Sequence, residues 1–450
     1  MKTLLIATNT ESIPDPVFPL GTAYIADSLK KNNMNFQILD LFFCDDFKSK
    51  IKSKILEYKP DIIGLSLRNF DSTTYPNFLS YIPFYQEIVD TIKKQTSSII
   101  VLGGAAFSIM PEVMLKYLKA DIGIVGEGEY EFINFIKKIE QNPDYLSTID
   151  KKIIDANLIN IKENNTTPDR DAFEFKKYYK LGGMANIQTK RGCPFKCIYC
   201  TYPIVEGRKV RLRNHKNVCD EIEGILEKGV NTLFFVDNEF LFPIEHPGLI
   251  CKEIINRNLS VKWGCFGNPG ILTNELAELM AKAGCTSIDF GSDSANDKML
   301  LNMGKDFTVK DLFKASAICK ENSINFCHSL LLGGPGETFD TIKDSLDNIL
   351  EISPTAAACM IGIRIYPNTK LFNIAISEGV ISSDNDLLEP TFYLSKYIKD
   401  EIIEYMEDFS SKNKNWIFLG LKNSMSKKIQ KGLRKIGYKG PLWQHMKKFR

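Results

Sequence analysis

Short apolar runs alternate with amphipathic stretches through the first 140 residues. Residues 3–8, 36–42, 61–67, 99–103 and 121–125 are compact apolar runs and read as strands. Between them, 21–31, 47–58, 85–94, 111–118 and 130–140 repeat apolar residues every three or four positions and read as helices. Apolar strands separated by helices predict a parallel, doubly wound (Rossmann-like) α/β domain over residues 1–140, with ligands at the strand C-termini. A polar stretch, 141–185, which includes Asn164-Asn165-Thr166-Thr167-Pro168-Asp169, reads as a linker, and its Tyr178 and Tyr179 are expected to pack between domains. From residue 186 the pattern resumes, with strands at 187–190, 232–237, 260–265, 287–291, 325–332 and 358–365. Six such units over 186–385 predict an open, partial (βα)6 barrel of TIM type, whose chemistry sits at the strand C-termini. Residues 386–450 read as a small helical basic region, with a helix at 396–408.

A chain of 450 residues, 44% hydrophobic and 25% charged, is globular material for two or three domains. The apolar run at 1–7 is too short for a signal peptide, and the one at 98–110 falls short of the roughly 20 residues of a membrane span. Cys44, Cys251, Cys285, Cys319 and Cys359, scattered through apolar segments, read as buried residues of a reducing compartment, so the expected location is cytoplasmic. Residues 411–450 carry twelve Lys and Arg and no Asp or Glu, which leaves the rest of the chain with about ten excess acidic groups. Bulky apolar residues among those lysines suit peripheral contact with an anionic membrane, a clamp for an acidic substrate or peptide, or a solvated cap on the barrel. No nucleic-acid-binding module is recognisable.

The chemistry concentrates in Arg191-Gly192-Cys193-Pro194-Phe195-Lys196-Cys197-Ile198-Tyr199-Cys200. Gly and Pro force an irregular loop, and cysteines spaced by three and then two residues bring three thiolates to one side of an inorganic cluster. Three ligands on a cubic cluster leave one iron open, as in a reactive centre. Zinc is the rival metal, with His215 the nearest fourth ligand.

This CxxxCxxC motif, with an aromatic before the last Cys, resembles the radical S-adenosylmethionine (SAM) enzymes. The resemblance implies a [4Fe-4S] cluster on Cys193, Cys197 and Cys200, SAM chelating the open iron, and Tyr199 near the adenine. In the first domain, Pro19-Leu20-Gly21, Gly103-Gly104 and Gly126-Glu127-Gly128-Glu129 resemble the cobalamin-binding domain found in front of many such enzymes. The corrin ring would then lie on the strand ends, against Gly103, Gly104, Gly126, Glu127 and Gly128. The first of the 4 His is His215, so this domain has no imidazole to offer the cobalt. Arg68, in Ser66-Leu67-Arg68-Asn69, either closes its strand at the surface or, as in the tryptophan-methylating branch of the family, faces the cobalt without ligating it. In that second role its fixed charge favours electron-rich cobalt and makes Arg68 a catalytic candidate.

The barrel's other strand ends are polar as well: Asp237-Asn238-Glu239, Trp263 to Pro269, Asp289 to Ser294, Leu332-Gly333-Gly334-Pro335-Gly336-Glu337-Thr338 and Arg364 to Thr369. By the resemblance, Asp237 or Asn238 holds the methionine amine and carboxylate, Ser292 or Asp293 holds the ribose, and Gly333 and Gly334 lie against the cofactor. Asp289 and Asn368 depart from the residues common at their places. His328 reads either as a proton acceptor at the site or as a core histidine, and Cys265 and Cys327 as packing residues. The expected activity is that of a cobalamin-dependent radical SAM methyltransferase of class B. It would act on a small-molecule, peptide or lipid carbon and draw on an external electron donor of flavodoxin or ferredoxin type. A cyclase or rearrangement enzyme without methylation, and a non-catalytic iron-sulfur or corrinoid carrier, are the alternatives.

Overall fold

The computed structural model describes residues 1–13, 15–156, 166–399, 401–413, 415–421 and 427–449. Strands β1 (Lys2–Ala7), β2 (Asn35–Asp40), β3 (Ile62–Ser66), β4 (Ile99–Gly103), β5 (Ile122–Val125) and β6 (Ile153–Asp155) form one sheet in the order β2-β1-β3-β4-β5-β6. Every pairing is parallel. Helices Leu20–Lys31 and Gly128–Gln141 pack together on one face, burying Ala26, Leu29, Phe132 and Ile136. Helices Phe47–Tyr58, Ile82–Lys93 and Pro111–Leu118 cover the other with Ile51, Ile55, Ile88 and Met114. The chain leaves β1 for β2 on one side and returns to β3 on the other, so a crevice opens between β1 and β3 at their C-terminal ends. The stretch expected to be a linker supplies β6, because Ile153 and Ile154 complete the ladder on β5. Asn164 and Asn165 lie outside the described residues. Tyr178 donates to both carboxylate oxygens of Asp40 (3.1 and 2.9 Å) and packs edge-on against Phe18 and Phe43, so it binds the helix Phe175–Gly182 to the first domain.

In the second domain, β7 (Ala185–Ile187) is followed by a hairpin of β8 (Lys190–Arg191) and β9 (Arg211–Leu212). Strands β10 (Thr232–Phe235), β11 (Lys262–Gly267), β12 (Cys285–Asp293), β13 (Asn325–Leu332) and β14 (Ala356–Ile361) then complete the six expected barrel strands. A short antiparallel pair, β15 (Ile363–Arg364) and β16 (Phe392–Tyr393), follows, and β17 (Trp416–Phe418) adds a parallel edge beside β14. The sheet order is β17-β14-β13-β12-β11-β10-β7. The basic region is therefore not purely helical: the apolar run 416–418 closes the barrel's edge, and its expected helix forms later, over Ile402–Lys412. In the tail helix Lys427–Lys435, buried Arg434 and Gln430 turn inward to Asp15 (2.5 and 3.2 Å).

Alternation along the strands separates two environments. Leu233, Phe235, Trp263, Cys265, Ile288, Phe290 and Leu330 enter the outer core, where Phe235 stacks on Phe240 at 4.6 Å and Trp263 meets Phe235 edge-on at 5.1 Å. Side chains of this size each contribute about 1.5–3 kcal/mol when buried. The alternate positions, among them Phe266, Asp289, Ser329, Leu331 and Met360, face the lumen and stay partly exposed.

Candidate active site

The cysteine loop rises from the β8–β9 hairpin and is held at three points. Gly192 turns the chain at φ +90°, and a Cβ there would stand 2.2 Å from the Lys209 carbonyl oxygen. Ile198 is buried, donates its N–H to Met303 O (3.0 Å) and accepts from Leu371 N (2.8 Å). Gly304, at φ +75°, leaves room for the Lys196 carbonyl. Burial and the neighbouring thiols push Cys193 up to about 11 and Cys200 up to about 12, and burial, with Asp293 nearby, raises Cys197. Among the described residues no three Cys, His, Asp or Glu side chains close on one ion. Three thiols at this spacing are the donor set for one thiolate on each of three irons, whose positive charge would offset their repulsion.

Tyr199 Oη donates to Asp293 Oδ2 (2.5 Å), which also pairs with Lys305 Nζ (2.7 Å). Lys305, buried among these groups, also hydrogen-bonds the Cys197 thiol and donates to the Gly291 carbonyl (3.0 Å). The end of β12 is thus tied to the cluster loop through Asp293, as far as its carboxylate reaches. Lys305 was not singled out from the sequence; it stands in the loop after the helix Asp297–Asn302, where nothing but charge marked it.

Several expected contacts are corrected. Asp237 is fully buried and accepts from Thr189 N (2.6 Å), Thr189 Oγ1 (2.5 Å) and Lys190 N (3.1 Å), so it braces the first strand end and offers nothing to a ligand. Ser292 and His328 are also fully buried. His328 Nδ1 lies 2.7 Å from Ser292 Oγ and its Nε2 2.9 Å from Ser316 Oγ, and Phe290 stacks on the ring. Burial holds this imidazole neutral, with its pKa lowered to about 3, and removes it from proton transfer. The N–H groups of Gly333 and Gly334 both donate to the Glu337 carboxylate, which closes that loop on itself. Cys265 and Cys327 are buried packing residues. Asn238 remains partly exposed and donates to Glu206 (2.7 Å). Beside it stands Glu239, overlooked as a site residue although it ends the same strand. It is half-buried, its Oε1 accepts from Leu241 N (2.9 Å), and burial pushes its carboxyl up to about 7.

On the first domain a cavity of ≈ 290 Å³ spreads over the ends of β1, β3, β4 and β5, bordered by Gly103, Gly104, Gly126 and Gly128. Its lining is mostly apolar, yet the hydroxyls of Thr22 and Tyr24 face it buried and without a partner among the described residues. A Cβ on Gly104 would fall 2.5 Å from the Leu67 carbonyl, so the floor admits glycine alone. Next to this cavity Arg68 follows β3 and stands in the crevice among Tyr202, Tyr85, Tyr81 and Tyr178. Its side chain reaches solvent, and among the described residues it has no hydrogen bond or ion pair. Tyr202 belongs to the turn after Cys200 and feels the charge of both Arg68 and the cluster cysteines, so Arg68 stands on the side of the first domain that faces the cluster loop. Glu127, expected at the cofactor, borders the cavity, with its carboxylate paired to Arg211 and, at 3.1 Å, to Arg191. Glu129 meets Arg191 at 2.5 Å.

The donor sets and spaces fit three groups: three thiols for a cluster, polar strand ends for SAM, and a glycine-floored apolar cavity with orphaned hydroxyls for a corrinoid. Comparison with known proteins agrees. Residues 187–349 match the radical SAM superfamily and residues 7–136 the B12 binding domain. The chain is similar to tryptophan 2-C-methyltransferase of Streptomyces laurentii, 23% identical over 437 residues, covering 80% of this chain and 72% of that one. It is also similar to the anaerobic magnesium-protoporphyrin IX monomethyl ester cyclase of Rubrivivax gelatinosus, 26% identical over 362 residues, 75% of this chain and 63% of that one. Its fold is shared with the radical SAM methyltransferase TsrM of Kitasatospora setae, solved with tryptophan and a SAM analogue: TM-score 0.87, 21% identity, 99% of this chain and 97% of that one.

Proposed function

The chain joins a B12 binding domain to a radical SAM domain, and on that premise we propose that it is a cobalamin-dependent radical SAM methyltransferase acting on a carbon of a compact natural-product substrate. The observation that carries this reading is one cavity lined both by the glycines of the first domain, Gly103, Gly104, Gly126 and Gly128, and by Gln188, Arg191, Val205 and Glu206, which flank the cysteine loop. Bound there, a [4Fe-4S] cluster with SAM supplies the activating and methyl-donating chemistry, and cobalamin carries the methyl group.

Cys193, Cys197 and Cys200 hold the cluster. Lys305 places a cation against the Cys197 thiolate and keeps Asp293 oriented. Asn238 and Glu239 present an amide and a carboxylate to the amine and carboxylate of SAM. Gly103, Gly104, Gly126 and Gly128 let the corrinoid approach the backbone, and Thr22 and Tyr24 offer it hydroxyls. Arg68 sets a permanent positive charge in the crevice, where no histidine of residues 1–214 is present to ligate. The half-open lumen of the barrel receives the substrate. Reducing equivalents come from an external flavodoxin- or ferredoxin-type donor. Among the described residues no helix is long and apolar enough to cross a membrane.

The test is anaerobic reconstitution with cobalamin, SAM and reductant, followed by quantification of iron, corrinoid and SAM-derived products. S-adenosylhomocysteine together with 5'-deoxyadenosine is the expected result for a radical methylase, and S-adenosylhomocysteine alone indicates polar transfer beside Arg68. Failure to bind corrinoid would sink the proposal. The likeness to a ring-forming cyclase keeps a second outcome in view: a turned-over substrate without a new methyl group.

A further inference from the structure

Within the lumen of the barrel, one titratable side chain has no role in holding the cofactors. Asp289 lies midway along β12 on the inner face, partly exposed. Its Oδ1 accepts from Ser329 Oγ of β13 at 2.9 Å, and its other oxygen has no partner among the described residues. Burial pushes the carboxyl up to about 6, which leaves it largely ionised near neutral pH. In strand register Phe266 of β11 stands directly beside it. Phe266 is 40% exposed although it lies inside a barrel, and it is steadied edge-on by Phe234 at 5.0 Å.

Space is provided as well. Two residues further along β12, Gly291 is exposed, and a Cβ built on it would touch nothing within 4 Å. The open lumen therefore extends from Asp289 toward Asp293, which is tied to the cluster loop. At roughly 3.3 Å per residue, the carboxylate of Asp289 sits about 13 Å below that end. An exposed phenyl ring, a carboxylate with one unpartnered oxygen and an open glycine on adjacent inner positions make a surface that is flat and apolar on one side and proton-accepting on the other. The remaining inner neighbours, Leu331, Met360, Ala358 and the Cys327 thiol that burial keeps protonated, carry no charge.

We propose that Asp289 and Phe266 form the substrate-recognition subsite, and that they select a compact molecule with a flat apolar ring and a proton-donating nitrogen, the ring lying on Phe266 and the nitrogen on Asp289. This rests on the reading of the lumen as the substrate site of the methyltransferase. A carboxylate-bearing ring is rejected there, because it would place two like charges side by side in a partly desolvated space.

Equilibrium dialysis on the full, anaerobically reconstituted chain tests this with three probes: 2-phenylethylamine, indole and 3-phenylpropionate. The amine and indole are expected to be retained at least about tenfold more strongly than the carboxylate, the range of a hydrogen bond to a charged group. Asp289→Asn, nearly isosteric, is expected to lose that preference for the amine, while Phe266→Ala weakens all three probes alike; iron and corrinoid content stay at the unsubstituted level in both. Equal retention of the three probes, no retention of any at millimolar concentration, or an unchanged preference in Asp289→Asn with full cofactor content would overturn the inference. Production of S-adenosylhomocysteine and 5'-deoxyadenosine by the unsubstituted chain, measured in parallel, keeps the two readings apart. Its absence counts against the methyltransferase assignment, and the dialysis pattern alone counts for or against the nitrogen subsite.

Discussion

Arg191 and Glu129 lie 2.5 Å apart across the domain junction, one leading into the cysteine loop and the other following the glycine turn beside the corrinoid cavity. Glu127 shares the same guanidinium at 3.1 Å, and all three side chains are largely buried. Arg191→Met leaves Glu129 without its cation, while Glu127 keeps Arg211, a change that costs about 3–5 kcal/mol when the site is dry. Both iron and corrinoid content should fall in this variant, with a lower unfolding temperature. Glu129→Gln keeps an acceptor for Arg191 and should lose much less. Equal behaviour of the two variants would mean that the junction is held by packing alone.

The three thiols act as a set. Cys197→Ala should abolish iron retention after reconstitution, whereas Cys265→Ala, in the outer core, should leave iron per chain unchanged and only lower stability. Iron analysis and the visible absorption of the cluster separate the two cases.

Arg68 supplies a charge that cannot be titrated away. A nearby cation stabilises the more reduced form of a bound corrinoid, so Arg68→Met should make its reduction potential more negative by tens of millivolts, where about 59 mV corresponds to 1.4 kcal/mol for one electron. Spectroelectrochemistry of the reconstituted chain reads the shift directly. An unchanged potential would place Arg68 too far from the cobalt to act on it.

His328 gives a pH signature. Its folded pKa is lowered to about 3, below the ordinary value near 6.5, so the unfolded chain binds the extra proton first. The stability contributed by the neutral ring is fully present above pH 6.5 and is lost as pH falls toward 3, at up to about 1.4 kcal/mol per unit. Buried carboxylates such as Asp40, raised to about 6, drift the opposite way, so the comparison must be between variants. Urea denaturation of His328→Gln between pH 7 and 5 should show a flatter loss of stability than the unsubstituted chain.

Much of this was legible before the fold was known. The helices at 47–58 and 111–118 lie where periodicity placed them because each buries one face, and the strands at 99–103 and 325–332 because their apolar runs are covered on both sides. The cysteine loop was equally plain, since its spacing carries its own chemistry. What sequence could not supply was the direction of side chains at strand ends. Asp237 and Asn238 are neighbours, yet alternation turns one into the brace for Thr189 and leaves the other open. Ser292 and Asp293 divide in the same way, one to a core histidine and one to Tyr199. Glu127 looked like a ligand because its glycine neighbours did, and only the arginines of a hairpin some 60 to 85 residues later show what holds it.

Ile198, between two of the cluster cysteines, packs in the same apolar cluster as Ile51, Ile88 and Leu102 of the first domain. The loop that holds iron is therefore finished by a hydrophobic core laid down about a hundred residues or more earlier in the chain. The two halves are not interchangeable cassettes: a barrel transplanted behind a different first domain would inherit the cysteines but not the surface that seats them, and evolution or engineering has to change both sides of that contact together.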